Sequence, residues 1–360
     1  MILQRYILRE LAATFLFILL VTAAVFLVGA SFQVFRRLEG LGLAFLLRTM
    51  PSVMGYVLPY ALLIAGGASA TLVYARLSAK NELTAMRTSG IHIWKALAPA
   101  VLLGIALGLL SWWINDRVMP FSHYQKRVVI RSSIVELLQS PPAGNQLLSL
   151  ENYRISYDGN EEGEMRSVFV TVLNDKGLDL QLHAKSGNVD FTTDPPQMIL
   201  RQCNVKKFTT GGEGEIRTDS DTFMEEYALS LDFGEIAQRA KGPRDMSNGE
   251  LAATIESGAY GRNHRRLQDA RTELFSRWAR SAAPLLLVLV CASVGILTRR
   301  GSKLAGLGAS LPPLLLYFVL SMFGEGAGGG GGISPFAGAF LADAALGVVA
   351  LGLVATILRQ

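Results

Sequence analysis

The segment ARLSAKNELTAMRTSGIHIWK, residues 75–95, is short and charged, and an uncharged apolar run lies on each side of it. The pattern predicts a helix over residues 81–86 that Gly90 ends. A helix this short cannot bury a core of its own. Between two membrane spans it would lie along the membrane surface, with its basic side chains toward water and phosphate headgroups. We expect it either to touch a partner on that side or to be a solvated connecting loop.

The composition identifies the environment of this segment as a membrane. Of the 360 residues, 50% are hydrophobic and 18% are charged, whereas a soluble domain carries roughly 25% charged residues. The apolar residues lie in runs long enough to cross about 30 Å of hydrocarbon. Six such runs occupy residues 11–35, 49–75, 96–115, 281–298, 304–324 and 333–358. The sequence therefore predicts an α-helical integral membrane protein with six transmembrane helices, the first an uncleaved span.

Residues 116–280 have a different character, because charges return and apolar residues alternate over short stretches. Turn residues separate five predicted strands, at residues 147–157, 167–173, 179–184, 198–208 and 222–231. In the second of these, Val168 and Val170 share one face, whereas Phe169 points the other way. A strand that is apolar on both faces lies inside a sandwich or lines an apolar cavity. The pattern predicts an inserted all-β domain.

Three domains follow from this order of segments. Residues 1–115 hold transmembrane helices 1–3 and the segment 76–95. Residues 116–262 hold the β domain and a connecting helix, which a capping box at residues 247–250 begins. Residues 263–360 hold a polar lead-in helix and transmembrane helices 4–6, with the glycine-rich stretch 326–332 as a flexible connector.

The distribution of basic residues predicts the orientation. Ten Lys and Arg lie at the N-terminus, in residues 76–95, in residues 299–303 and at Arg359, against three (Arg36, Arg37 and Arg48) in the loops of the other side. The positive-inside rule places both termini in the cytoplasm and the β domain in the periplasm. Five basic residues beside the β domain run against the rule, and contact with anionic lipid would explain them; they are Arg117, Lys126, Arg127, Arg277 and Arg280.

The sequence contains no arrangement that indicates chemistry by this chain. The four histidines are scattered without metal-ligand spacing, and no nucleotide-binding, catalytic or nucleic-acid motif is present. We predict no catalytic residue, no metal, no cofactor and no nucleic-acid partner. Cys203 and Cys291 cannot form a disulfide framework.

Three charged residues near or within the apolar runs are candidate site residues. Arg36 and Arg37 end the first span, where they either snorkel to the interface or bind phosphate groups. Asp343 is a lone acid within the last span. An acid at such depth usually faces the bundle interior and has a partner; alternatively, Asp343 lies close enough to the interface to stay hydrated.

Several motifs together resemble the LptF/LptG permease family. They are the RYILRE start at residues 5–10, LSAKNELTAMRTSGIHIWK at residues 77–95, the inserted β domain, and ARTELFSRWARSAAPL at residues 270–285. The resemblance covers nearly the whole chain. The pattern of Arg271, Glu273 and Arg277 is more similar to LptF than to LptG. The glycine-rich connector and the short C-terminus depart from better-known members.

The resemblance implies a permease subunit that pairs with a second one, LptF with LptG, and is driven by a cytoplasmic LptB-like ATPase dimer. Such a transporter extracts lipopolysaccharide from the inner membrane and passes it through β-jellyroll domains to an LptC/LptA-like periplasmic bridge. Residues 76–95 would be the coupling helix. Its expected contacts with the ATPase are charge pairs from Glu82 and Arg87 and groove contacts from Leu83 and Met86. Arg36 and Arg37 would bind lipid A phosphates.

Two other functions remain open at this stage. The chain could be a membrane-anchored periplasmic binding or assembly protein that moves nothing, in which case Glu82 would be dispensable. It could also be an ion-coupled transporter, which only Asp343 supports, because the two halves show no inverted repeat.

Overall fold

The computed structural model describes residues 2–37, 43–125, 128–129, 146–150, 153–161, 164–174, 177–190, 193, 196–210, 216–230, 241–261, 263–298 and 303–359. The chain divides into two compact units. The helical unit contains Met1–Val28, Val53–His123 and Lys241–Gln360; the second unit contains Gly29–Ser52 and Tyr124–Ala240, and with them every described strand. Residues 241–261, which hold the predicted connecting helix, are grouped with the helical unit.

The helices are α1 (Ile2–Arg37), α2 (Leu43–Ala79), α3 (Glu82–Thr88), α4 (Ile93–Trp113), α5 (Asn248–Glu256), α6 (His264–Leu297), α7 (Lys303–Gly329) and α8 (Pro335–Arg359). A π-helical turn, Ile114–Val118, extends α4. By length and composition, six helices among the described residues could cross a membrane: α1, α2, α4, α6, α7 and α8. The predicted six spans are confirmed, and the protein is a multi-pass membrane protein.

The backbones of α2 and α6 lie close together in the core of the helical unit. A Cβ atom on Gly67 of α2 would lie 3.1 Å from the sulfur of Cys291 in α6, and one on Gly295 would lie 2.7 Å from the carbonyl oxygen of Thr71. The Thr71 hydroxyl donates a hydrogen bond to the Cys291 carbonyl at 3.2 Å. Small residues thus let α2 and α6 pack closely.

The glycine-rich stretch is more ordered than predicted. Helix α7 continues through Gly329, so the prediction of a flexible connector over residues 326–332 was wrong for its first half. A Cβ on Gly324 would lie 2.2 Å from the carbonyl oxygen of Gly338 in α8. A larger side chain at Gly324 would force the two helices apart, whereas a Cβ on Gly326, inside the stretch, would meet nothing within 4 Å.

Seven described strands form one antiparallel sheet: β1 (Gln146–Leu150), β2 (Tyr153–Tyr157), β3 (Gly159–Glu161), β4 (Glu164–Asn174), β5 (Gly177–Asp190), β6 (Gln197–Thr210) and β7 (Ile216–Ser230). Their order is β1-β2-β4-β5-β6-β7, with β3 pairing β4. The predicted strand 147–157 is in fact two, because β1 and β2 pair antiparallel with Gln146 opposite Tyr157. The inserted β domain is confirmed, and its jellyroll form stays a prediction.

One face of the sheet forms the core of the β unit. Val168 and Val170 are fully buried there, together with Leu182 and Leu200 from the neighbouring strands. Phe169 points away from this core and is 37% exposed. Strand β4 therefore has one buried face and one partly exposed face, and its place in a sandwich or beside an apolar cavity stays a prediction.

Candidate functional site

The two ends of the helical unit contain the polar residues that matter for function. We call the end that carries residues 76–95 the loop end. At the opposite end, α4 continues into residues 114–123 and the chain returns at residues 241–257. We call these two stretches the root segments and that end the root end.

Residues 76–95 at the loop end form a short helix held at both of its ends. The predicted helix is α3, Glu82–Thr88, and Asn81 precedes it in the left-handed conformation. The Ser78 hydroxyl donates a hydrogen bond to the Ile296 carbonyl at 2.9 Å, which joins the segment to the end of α6. Gly90, with φ of 77°, reverses the chain after α3. Residues 76–95 are therefore an ordered part of the helical unit.

The apolar face of α3 packs against the helical unit itself. Leu83 is 4% exposed and belongs to the main helical core, and Met86 packs against that core. The face that remains exposed is small and polar, with Thr84 and Thr88 on it, and Glu82 is half-buried. Leu83 and Met86 thus hold α3 on the bundle, and their contact with a groove of an ATPase stays a prediction.

Arg87 has a partner within the chain. Its Nη2 donates a hydrogen bond to the carbonyl oxygen of Ile357 at 3.1 Å. The last carbonyls of a helix lack intrahelical donors, and Arg87 satisfies one of them at the end of α8. Glu82 forms no salt bridge with any described residue. Of the two charges predicted to meet an ATPase, Glu82 is the one left available.

An ion pair also ties α1 to the loop end. Arg76 of α2 pairs with Glu10 of α1. Ile7 and Leu11, on either side of Glu10 in sequence, are fully buried, whereas Leu20 and Val25 farther along α1 are exposed. Helix α1 is therefore packed into the helical unit mainly at its loop end.

The other predicted site residues have separate positions. Arg36 and Arg37 end α1, but their side chains lie outside the described part of the structure. Asp343 is 6% exposed within α8, and neither carboxylate oxygen has a hydrogen-bond partner among the described residues. Asp343 is therefore buried within the helical unit, and its role stays a prediction.

Sequence reasoning missed a polar cluster at the root end. Its centre is Arg277 of α6, whose side chain is 2% exposed. Nη1 donates to the Met246 carbonyl at 2.6 Å and to the Asn248 side chain at 3.2 Å, and Nη2 donates to the Pro243 carbonyl at 3.0 Å. Nε donates to Glu273 at 3.1 Å. Every nitrogen of this guanidinium is thus engaged inside the protein.

Arg280 extends the cluster toward α7. Its Nη2 lies 3.4 Å from Oε2 of Glu273, and its Nε lies 3.5 Å from Oε1 of Glu325. Arg280 is largely buried, with 13% of its side chain exposed. The expected contact of Arg277 and Arg280 with anionic lipid is therefore incorrect, because both side chains point into the helical unit toward carboxylates.

The two root segments also bind each other. The backbone N–H of Asn248 donates to Oδ1 of Asp116 at 2.9 Å. Nδ1 of His123 lies 2.6 Å from Oδ1 of Asp245, a residue that is almost fully buried. The stretch that leaves α4 is thereby joined to the stretch that leads into α5.

The capping box predicted at residues 247–250 is present. The backbone N–H of Glu250 donates to the Ser247 hydroxyl, and the backbone N–H of Ser247 donates to Glu250 at 2.9 Å. This N–H, assisted by the Lys241 ammonium at 3.0 Å, lowers the pKa of the Glu250 carboxyl. The box fixes where α5 begins and so where the Asn248 side chain lies.

A sequence signal for the root cluster exists. Glu273, Arg277 and Arg280 are spaced four and three residues apart, which places all three on one face of a helix entering the membrane. Ionisable residues at such a position usually find partners inside the protein. The partners themselves, backbone carbonyls of residues 243 and 246, could not be read from the sequence. Among the described residues, no three His, Cys, Asp or Glu side chains form a group that could hold a metal.

Comparison with known proteins agrees with this arrangement. The family model described as lipopolysaccharide export system permease LptF/LptG matches residues 5–356. No curated protein sequence gives a significant match. The match spans both ends of the helical unit and the inserted β unit. The chain therefore belongs to the LptF/LptG family of lipopolysaccharide export permeases.

Proposed function

We propose that this chain is one permease subunit of an ABC-type lipopolysaccharide exporter, in which a separate cytoplasmic ATPase dimer hydrolyses ATP. The observation that carries the proposal is the family match over residues 5–356. Six membrane helices and an inserted β unit fit a protein that moves a lipid out of a bilayer. This chain would perform no chemistry and would need no cofactor.

Helix α3 is the proposed contact with the LptB-like ATPase. Its exposed face is short and polar, and its apolar face is anchored by Leu83. A push on the exposed face would therefore pass into α4 and α8 through Leu83 and the bond from Arg87 to Ile357. Glu82 would pair with a basic side chain of the ATPase.

The proposed orientation follows the uneven distribution of basic residues. The loop end would face the cytoplasm, and the β unit would face the periplasm of a bacterium with an inner membrane. Arg36 and Arg37 would then lie at the outer leaflet, where they would bind the phosphates of lipid A. Their charge and position at the end of α1 support this assignment.

The second permease subunit would cover apolar surface on α1 and α7. Leu16, Leu20 and Val25 of α1 are exposed, as are Val319 and Met322 of α7. Lipid would cover whatever part of this surface the partner leaves free. Pairing with an LptG-like subunit would enclose the lipopolysaccharide between two such chains.

The periplasmic bridge would dock on the edge of the sheet. Strand β7 has 15 residues and, among the described residues, pairs only with β6. An unpaired edge of this length can accept a strand from another protein. A bridge protein with its own β-sheet, LptC-like or LptA-like, would extend this sheet and receive the lipid's acyl chains along the apolar face.

Detergent co-purification with an LptB-like ATPase tests the proposal, followed by ATP hydrolysis with Glu82→Ala. We expect a stable complex whose ATPase activity falls in Glu82→Ala and stays unchanged in Arg265→Ala, an exposed position outside α3. Absence of any complex would overturn the exporter proposal. A silent Glu82→Ala combined with loss of bridge binding on mutation of β7 would favour the membrane-anchored binding protein.

A further inference from the structure

Helix α6 is covered by the rest of the helical unit on every side except one. Among residues 270–290, the exposed ones are Arg271, Trp278 and Ala282, and all others are buried or half-buried. These three are spaced seven and four residues apart, which places them on a single face of the helix. We call Arg271, Trp278 and Ala282 the α6 stripe.

The α6 stripe lies between two neighbouring helices. On one side, a Cβ atom on Gly108 of α4 would lie 3.0 Å from the carbonyl oxygen of Ser281. On the other side, the ring of Phe275 meets that of Phe336 in α8 edge-on, with the centroids 5.6 Å apart. Ser281 and Phe275 lie about 60° to either side of Trp278 around the helix axis. The stripe is therefore the floor of a groove whose walls are α4 and α8.

Exposed tryptophans mark where the membrane surfaces cross the helical unit. Trp94 and Trp113 lie at the two ends of α4, and each exposes about half of its surface. Their separation along the helix is about 28 Å, which matches the roughly 30 Å of a hydrocarbon core. Tryptophan favours the interface between membrane and water. Trp113 therefore marks the membrane surface at the root end.

The α6 stripe crosses that surface. The Ser111 hydroxyl donates a hydrogen bond to the Arg280 carbonyl at 3.1 Å, so these residues of α4 and α6 lie at one depth. Trp278 lies half a turn outside Arg280, and hence level with Trp113. Arg271 lies about 10 Å farther out along the axis. The headgroup layer is about 5–8 Å deep, and an arginine side chain is long enough to span the remaining distance.

The charge of Arg271 is not balanced within the described part of the chain. No acidic side chain among the described residues pairs with it. The residues three and four positions away on α6 are Leu267, Gln268, Leu274 and Phe275, and none of them is charged. An exposed guanidinium without an acidic neighbour is suited to a phosphate, which it binds through two parallel hydrogen bonds.

We propose that the groove over the α6 stripe binds one anionic phospholipid of the leaflet at the root end. Its phosphate contacts Arg271, its glycerol region lies beside Trp278, and an acyl chain covers Ala282. One guanidinium matches one phosphate, which favours a phospholipid over the exporter's cargo. The site requires only that these helices cross a membrane, so it goes beyond the exporter proposal and does not depend on it.

Native mass spectrometry of the full chain in mild detergent, titrated with phosphatidylglycerol, tests the site. We expect the parent to hold one lipid tightly, and Arg271→Gln to bind it about tenfold more weakly, the effect of losing one charge-assisted contact. The matched control is Arg265→Gln. Arg265 is an exposed arginine of the same helix on a different face from the stripe, and this variant should bind as the parent does.

A second arm locates the lipid. Phosphatidylglycerol with brominated acyl chains quenches the fluorescence of tryptophans that it touches. At one equivalent of this lipid, Trp278→Phe should lose the larger part of the quenching seen in the parent. Trp94→Phe should retain it, because Trp94 lies at the loop end. Equal quenching in Trp278→Phe and the parent would place the lipid elsewhere and overturn the groove.

A third arm identifies the class of ligand with phosphatidylcholine, inorganic phosphate and lipopolysaccharide. Phosphatidylcholine, which has no net charge, should bind about fivefold more weakly than phosphatidylglycerol, and inorganic phosphate should not displace the lipid. Equal affinity of the two phospholipids, or of Arg271→Gln and Arg265→Gln, would overturn the proposal. Displacement by equimolar lipopolysaccharide would assign the groove to the cargo and would also overturn it.

Discussion

The loop end and the root end of the helical unit are held by opposite means. At the loop end, α3 is fixed by one buried leucine, one partly buried methionine and single hydrogen bonds from Arg87 and Ser78. At the root end, buried Arg277 makes four hydrogen bonds within a network of paired charges. Apolar contacts tolerate small shifts because they lack direction, whereas a planar guanidinium does not. The contacts at the root end are therefore more directional than those at the loop end.

The largest expected effect comes from breaking the root end. Arg277→Ala leaves Glu273 with only Arg280 and the largely exposed Arg244 nearby, and it strips two carbonyls of their donor. Loss of one partner of a buried ion pair costs about 3–5 kcal/mol. Thermal unfolding in detergent should show a clearly lower midpoint for Arg277→Ala. The midpoint of Arg265→Ala should equal that of the parent. If Arg277→Ala and Arg265→Ala unfold at the same midpoint, the contacts of Arg277 do not stabilise the root end.

A smaller effect is expected from Leu83→Ala at the loop end. Truncation of this buried leucine should reduce the local stability of α3 by about 2–3 kcal/mol, because a helix at the surface can partly collapse onto the space left. Hydrogen exchange of residues 82–88 should accelerate, whereas Thr84→Ala should leave it unchanged. Unaltered exchange in Leu83→Ala would show that α3 is held by something other than its apolar face.

The Asp343→Asn variant tests whether a buried carboxylate without a hydrogen-bond partner destabilises the folded protein. Asp343 is buried and both its oxygens lack partners among the described residues. Replacement of an unpaired buried acid by a neutral amide should raise the free energy of unfolding by about 1 kcal/mol. Thermal unfolding measures this, with exposed Asp269→Asn as control. If Asp343→Asn is less stable than the parent, the carboxylate has a partner. That result would support the alternative of an ion-coupled transporter.

Arg87→Met isolates the one charged contact between α3 and α8. Loss of the hydrogen bond to the Ile357 carbonyl should cost about 1 kcal/mol. Hydrogen exchange should accelerate at the end of α8, with Lys80→Met, an exposed position beside α3, as the control. If the end of α8 exchanges as in the parent, α3 and α8 are coupled only through the apolar core.

The smallest effect concerns pH and the capping box of α5. The pKa of Glu250 is lowered below its ordinary 4.5 in the folded protein. The stabilisation is therefore complete above the unfolded pKa and is lost as pH falls through the lowered folded pKa. Because the carboxylate is half-exposed, the loss should stay below about 1 kcal/mol. Exchange of α5, corrected for intrinsic rates, should accelerate between pH 6 and pH 3 in the parent, and Glu250→Gln should show no such dependence.

Much of the architecture was predictable because its signals are local. Length and apolarity identify six spans, since each must cross the hydrocarbon by itself. The capping box at Ser247 and Glu250 depends on residues three apart, and it is present as predicted. The start of α3 at Glu82 lies within one residue of the predicted start at residue 81. Phe169 points away from Val168 and Val170, as the alternation along β4 predicts.

The amino-acid sequence by itself determined the spans, the inserted strands, the short helix α3 and the family. Only the tertiary structure decided the direction in which the charged and apolar side chains of α3 and α6 point. Leu83 faces its own bundle, Arg87 binds the end of α8, and Arg277 binds backbone carbonyls more than 25 residues away in the chain. Such partners are set by the packing of distant segments, and a backbone carbonyl has no signature in the residue types that carry it.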